Sequence, residues 1–301
     1  MSTPRTAATP PGEDAARVPL PGTGTAPATT ARPATTACDL ELVIPAYNEE
    51  QRLAPTVLAL AGHLRGMPLT AALRVVDNGS SDRTAECVDR LAASGIPITV
   101  TGCSRRGKGA AVARGMVTTK ARWVGFCDAD LATPATAIDD AVALLRDGRQ
   151  VVIGSRRCTG ASVPVRQPAL RRLGGAGFRL ATRRFSGPVK DTQCGFKFFE
   201  AEAARRIFAH VTTTGFAFDL EVIARARALG LSLAEFPVVW SDQEGSSFRP
   251  FADGRRVAGE LWRLHRTMHR LPPRVVHHAP AAFATPAAPS APSAPATEGA
   301  G

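Results

Sequence analysis

Short apolar runs alternate with longer amphipathic stretches between residues 40 and 240. The first run, 40–44, reads as a strand stopped by Pro45, which cannot donate to a ladder. A helix is predicted over 49–64, with Glu49 and Glu50 in its first turn, where acidic side chains suit the helix dipole. Residues 73–76 form a second strand ending in the polar turn 77–82, where Ser81 or Asp82 caps a helix running through Ala92. Further strands are predicted at 96–100, 123–127 and 151–153, with helices at 108–118 and 135–145 between them. Strands and helices in this alternation imply βαβ units and a mostly parallel sheet, hence a single α/β domain.

Beyond Gly154 the pattern loosens and turns basic, with Arg156, Arg157, Arg166, Arg171, Arg172, Arg179, Arg183 and Arg184. A helix fits 166–185, a loop 191–195 runs into a strand, and helices follow at 201–208 and from 215–219 through Leu229. The run 233–240 is the last strand. A final helix over 253–271 places Val257, Leu261, Leu264, Met268 and Leu271 on one stripe and Arg255, Arg256, Arg263, Arg266 and Arg270 on its other faces. Such a helix either docks on the domain through its stripe or lies on an anionic membrane; the two are compatible.

Composition trims the ends. Residues 1–38 are rich in Thr, Ala and Pro, and 275–301 in Ala, Pro and Ser, so both read as disordered tails. The division expected is therefore 1–38 tail, 39–250 catalytic domain, 251–274 basic amphipathic helix and 275–301 tail. Of the whole chain, 44% is hydrophobic, enough for a core, and the net charge of +11 favours acidic partners unless it only mirrors a general enrichment in Arg. No secretory signal and no apolar run of about 18 residues is present, which argues against a spanning helix. Six scattered cysteines, without a CxxC pair or zinc spacing, read as reduced cytosolic thiols.

The chemistry concentrates at Asp128-Ala129-Asp130, directly after the run 123–127. Carboxylates at i and i+2, leaving the end of a buried strand, point the same way and can share one divalent cation. Mg²⁺ or Mn²⁺ bound by one or two carboxylates completes its shell with water and substrate phosphates. Ligands of parallel sheets bind at the carboxyl ends of strands, which places Asp77, Asp128 and Asp130 in one crevice.

Four segments in order, 43–50 (VIPAYNEE), 75–84 (VVDNGSSDRT), 106–112 (RGKGAAV) and the Asp128–Asp130 end, resemble a family 2 glycosyltransferase of the GT-A (Rossmann-like) fold. The segment 191–197 (DTQCGFK) resembles the dolichyl-phosphate glucose synthase branch; mannose synthases diverge at the Gln-Cys pair. The resemblance covers about 40–250 and implies an inverting, metal-dependent transfer of a hexose, foremost glucose from UDP-glucose, to a polyprenyl phosphate. It implies a Mg²⁺ or Mn²⁺ cofactor, a nucleotide-sugar donor, a β-linked lipid-phosphate product and peripheral work at the cytoplasmic membrane face or with a membrane partner.

Carried onto this sequence, the resemblance assigns Pro45, Tyr47, Asn48, Glu49, Asp77, Lys108 and Asp128 to the nucleotide sugar. Asp77 would accept from the uracil ring or the ribose, or else belongs only to a capping turn. Lys108 would meet base or phosphates, or is a lone surface lysine. Asn78 stands where a second Asp is commoner. Asp130 is the principal implied metal ligand, with Asp128 reaching the ribose or the metal. Ser155, Arg156, Arg166 and Arg249 are implied for the acceptor phosphate, arginine being suited to bidentate phosphate binding. Asp191 and Asp219 are the candidates for orienting the acceptor or acting as base, Asp191 being preferred.

Other function classes fit less well. A soluble transferase with a metabolite acceptor, or a mannose synthase using GDP-mannose, keeps the fold and remains the alternative. A nucleic-acid binder lacks a stacking platform, with 6% aromatics and one tyrosine. Gly107-Lys108-Gly109 is too short for a Walker loop, and His265 and His269 lack the Glu of a zinc-protease helix.

Overall fold

The structure is a computed structural model that describes residues 38–91, 95–163, 177–178, 181–215, 217–241 and 250–268. The expected tails, apart from Cys38, lie outside them, as do Arg166 and Arg249 and all but 177–178 and 181–185 of the helix expected at 166–185. Residues 181–186 are helical.

The elements run β1 (Leu40–Ala46), α1 (Leu53–Gly66), β2 (Ala71–Asp77), α2 (Thr84–Asp89), β3 (Ile98–Gly102), α3 (Lys108–Thr118), β4 (Trp123–Cys127), α4 (Ala137–Arg146) and β5 (Val151–Ser155). They continue with β6 (Phe196–Glu200), α5 (Ala201–Phe208), α6 (Phe218–Ala228), β7 (Leu233–Pro237) and α7 (Pro250–Met268). One seven-stranded sheet has the order β3-β2-β1-β4-β6-β5-β7. Only β6 runs against its neighbours, pairing antiparallel with β4 and β5. The carboxyl ends of the other six strands and the beginning of β6 therefore share one edge.

Both faces of the sheet are covered, as the near-continuous apolar strands require. Leu53, Val57, Leu60 and Leu64 of α1 and Ile138, Val142 and Leu145 of α4 pack with Leu42, Ile44 and Leu73 on one face. On the other, Val112 and Met116 of α3, Ile207 of α5 and Val222 of α6 pack with Val43, Val124, Phe126 and Phe199. All six cysteines are free thiols.

Several boundaries differ from the sequence reading, each for a physical reason. Pro45 does not stop β1: the ladder to β4 ends at Val43↔Phe126, so at Pro45 only β2 is paired and the missing N–H is tolerated. Helix α1 begins at Leu53, because Glu49 and Glu50 are held in a turn by long-range bonds from their N–H groups to Thr84 Oγ1 (2.8 Å) and Asp82 Oδ2 (3.2 Å). Strand β3 begins after Pro97, which has no N–H to give. The last strand ends at Pro237, and Val239 makes only an isolated bridge with Ser162.

The C-terminal helix docks. Leu264 and Met268 are buried with Leu261 against Phe185, Leu220 and Ala224. Glu260, also buried, accepts a hydrogen bond from the Ala217 N–H at 3.0 Å, ahead of α6. The side chain of Val257 and residues 269–271 lie outside the described set.

Candidate active site

Three adjacent strands, β2, β1 and β4, deliver one half of the edge. Asp77 closes β2 and receives the Ser80 N–H at 3.2 Å, which folds the 77–80 turn back on the strand. The β1 end is tied to that turn: Asn48 Oδ1 accepts the Ser81 N–H at 2.8 Å, and the Asn48 N–H donates to Ser80 Oγ at 2.9 Å. Asn48 has φ 55° and Leu131 φ 50°, the two non-glycine residues with positive φ among those described. Both flank this crevice, one after β1 and one after Asp130, and strain of this kind gathers at functional sites. Tyr47 is exposed, and Glu49 forms a bidentate pair with Arg52 at 2.8 and 2.9 Å. Burial, against the pull of Arg52, raises the Glu49 carboxyl above its ordinary pKa.

Lys108 opens α3 and forms an ion pair with Asp128. Two glycines make that meeting possible. Gly107, at φ 114°, lies so close to Thr214 that a Cβ would stand 2.3 Å from its carbonyl oxygen. Gly195 leaves room for Asp128, whose Oδ2 would lie 2.1 Å from an added Cβ. The Gly107–Lys108 turn is fastened from below by Asn78: its Oδ1 accepts the Gly107 N–H at 2.6 Å and its Nδ2 donates to the Arg105 carbonyl at 2.7 Å. An amide supplies both a donor and an acceptor there, which a carboxylate does not. That role of Asn78 is not visible in the local sequence, because its partners lie 27 and 29 residues away.

Asp130 is half-buried, and its Oδ1 accepts the Ala132 N–H at 3.1 Å. Burial, then the neighbouring Asp128, pushes its carboxyl above the ordinary value. Among the described residues no group of three Asp, Glu, His or Cys side chains is placed to hold a metal alone. Asp128 and Asp130 offer two carboxylates with excess negative charge, which suits a cation that takes its remaining ligands from phosphates and water. Cys127 and Cys194 line a small pocket beside Asp128 with Trp240, and burial pushes the Cys194 thiol up to about 12 and Cys127 up as well. Both therefore stay protonated thiols, poor metal ligands.

The second half of the edge comes from β5, the 191–195 loop and the segment after β7. Asp191 is 3% exposed and grips Arg156 in a fork, Nε to Oδ2 at 2.7 Å and Nη2 to Oδ1 at 2.8 Å. It also accepts the Arg156 N–H at 3.0 Å and the Gln193 N–H at 3.3 Å. Burial alone would raise the Asp191 pKa, but the guanidinium holds it below the ordinary value. Arg156 stacks over Trp240 at 5.3 Å. Ser155 is fully buried, and its Oγ accepts the Arg157 N–H at 3.3 Å. The buried Gln193 Nε2 has no hydrogen-bond partner among the described residues.

Asp219 sits behind Lys108 at the start of α6. It pairs with the fully buried Lys197, which also donates to the Cys194 carbonyl at 2.6 Å. Burial raises the Asp219 carboxyl against the pull of Lys197 and Lys108. A separate cleft of about 890 Å³ opens along α3, lined by Asp77, Cys103, Arg105, Arg114 and Phe208. It reaches Asp77 but not the Asp128–Asp130 pair.

The structure thus brings Pro45, Asn48, Glu49, Asp77, Lys108, Asp128 and Asp130 to the carboxyl edge of β1, β2 and β4, and Arg156 and Asp191 to the adjoining edge of β5 and β6. Comparison with known proteins shows the family and the fold. Residues 41–208 match the model of the family described as Glycosyl transferase family 2. The dolichyl-phosphate beta-glucosyltransferase of Dictyostelium discoideum is 30% identical over 241 residues, covering 75% of this chain and 73% of that protein. The human protein of that name is 29% identical over 254 residues, with coverages of 76% and 78%. Among solved structures, glucosyl-3-phosphoglycerate synthase from Mycobacterium tuberculosis, in complex with Mn²⁺, UDP and glucosyl-3-phosphoglycerate, superposes with a TM-score of 0.57 at 21% identity. That superposition covers 78% of this chain and 81% of the other, and supports a GT-A fold.

Proposed function

The chain belongs to glycosyl transferase family 2, and from that premise we propose that this glycosyltransferase moves glucose from UDP-glucose to a polyprenyl phosphate of the dolichyl type, with inversion. The observation that carries the reading is the pairing of Lys108 with Asp128 beside Asp130, in a chain whose relatives bear the name dolichyl-phosphate beta-glucosyltransferase.

Asp77 and the 45–49 turn hold the nucleoside, while Asp130 and Asp128 would hold Mg²⁺ or Mn²⁺. When bound, that ion supplies Lewis-acid stabilisation of the departing nucleotide diphosphate. Lys108 adds a second positive charge on the same side. The attacking oxygen belongs to a phosphate monoester whose second pKa is about 6, so it is already ionised at neutral pH and positioning matters more than proton removal. Asp191 accordingly orients Arg156 toward the acceptor phosphate, and Asp219 steadies Lys197 behind Lys108. Arg166 and Arg249, also expected for the acceptor phosphate, lie outside the described residues.

Peripheral contact with an anionic bilayer, at the cytoplasmic face, completes the reading. Trp262 is 60% exposed on the outward side of α7, with Arg266 over its ring at 4.8 Å and Arg263 exposed beside it. Among the described residues no helix is long and apolar enough to cross a membrane.

The test is transfer of label from UDP-glucose to a polyprenyl phosphate in detergent, with GDP-mannose in parallel. Organic-phase label from UDP-glucose, abolished by EDTA, is the expected result. Label only from GDP-mannose would correct the sugar, and label confined to a water-soluble product would replace the acceptor.

A further inference from the structure

A cation already engages Asp128, and it belongs to the chain. Lys108 Nζ lies on Asp128 Oδ1, with Asp130 and Asp219 as its further anionic neighbours. The arrangement is built rather than incidental. Gly107 and Gly195 clear the space, Asn78 fixes the turn, and the Thr214 carbonyl accepts the Gly109 N–H at 2.9 Å just inside α3. Behind the ammonium, the Phe218 ring lies 5.9 Å away and Asp219 is committed to Lys197. The side chain retains 39% exposure.

We propose that Lys108 is a resident counter-ion that must leave Asp128 before a divalent cation settles there, and that the donor's diphosphate receives it. This rests on the metal-dependent reading of the site. Two positive charges within a few ångströms repel, so a divalent ion arriving alone meets both the ammonium and an engaged carboxylate oxygen. A diphosphate reverses the balance: it brings negative charge for the ion and a new partner for Lys108. Metal and nucleotide therefore bind with positive coupling, and by linkage each tightens the other by the same factor. In their absence, Lys108 keeps the carboxylate pair from collecting stray divalent ions.

The test uses the full chain, Mn²⁺ alone and UDP, with free Mn²⁺ followed by electron paramagnetic resonance. For Lys108→Met, Mn²⁺ affinity without nucleotide is expected to rise by roughly 3- to 10-fold, the scale of a half-exposed ion pair, while the enhancement by UDP shrinks. Lys108→Arg, which keeps the charge, should behave like the parent and shows that the gain is not loosened packing. Unchanged or weaker Mn²⁺ binding by the nucleotide-free Met variant would overturn the proposal, provided its melting temperature matches the parent. Failure of the parent to bind Mn²⁺ even with UDP would instead overturn the metal reading on which it rests.

Discussion

Asp130 and Asp191 share one edge of the sheet, yet their surroundings drive them in opposite directions. Burial beside Asp128 raises the Asp130 carboxyl, whereas Arg156 holds Asp191 low. Replacing Asp130 by Asn removes charge at a half-exposed strand end, so the fold should melt within a degree or so of the parent while turnover falls on the order of 10³-fold. Parent-like rates across a Mn²⁺ titration would remove Asp130 from the machinery. For Asp191 the folded pKa lies below the unfolded one, near 3.9, so its contribution to stability is present above that pH and is lost as pH falls through the depressed value. Asp191→Asn should therefore cost about 3 kcal/mol at pH 7, with the gap to the parent narrowing toward pH 3 in urea melts. A gap independent of pH would assign the cost to packing instead of the ion pair. The carboxylates themselves are readable in the chain, because i and i+2 at a strand end is a local pattern. The groups that place them are not: Gly195 meets Asp128 across 67 residues, and Asn78 reaches the Gly107 turn across 29.

Elements whose ends are set locally match the sequence reading closely, as α3 (Lys108–Thr118), β4 (Trp123–Cys127) and α5 (Ala201–Phe208) do. Those whose ends are set by distant partners shift, as α1 does when Thr84 and Asp82 capture the N–H groups of Glu49 and Glu50. The reversal of β6 is equally non-local, since no residue within 196–200 encodes the direction of its neighbours. For α7, the amphipathic pattern leaves docking and membrane contact open, and the fold shows that the stripe docks through Leu264 and Met268. The two faces can then be separated by substitution. Leu264→Ala, at a site 2% exposed, should cost about 2–3 kcal/mol in a denaturant melt. Trp262→Ala should leave stability within about 0.5 kcal/mol while reducing flotation with anionic vesicles several-fold. Equal flotation of parent and variant would move the contact surface elsewhere.

At the scale of the whole molecule, the charge of +11 would add a long-range attraction to the membrane contact proposed for one helix face. Attraction of that origin is screened, so vesicle binding should fall steeply between about 0.05 and 0.5 M salt, as the Debye length contracts. Binding that persists in high salt would point to apolar insertion as the main force. The order β3-β2-β1-β4-β6-β5-β7 carries another consequence. Because β6 enters the sheet at the working edge, Asp191 and Gln193 lie on its approach, while Asp77, Lys108 and Asp130 stand on strands and helices completed earlier in the chain. The two halves of the crevice are thus written largely in consecutive stretches of sequence, joined where Gly195 rests on Asp128 and where Gly107 and Gly109 meet Thr214. On the proposed reading, evolution or an engineer can rewrite 156–191 to change what receives the sugar without disturbing how the sugar is delivered.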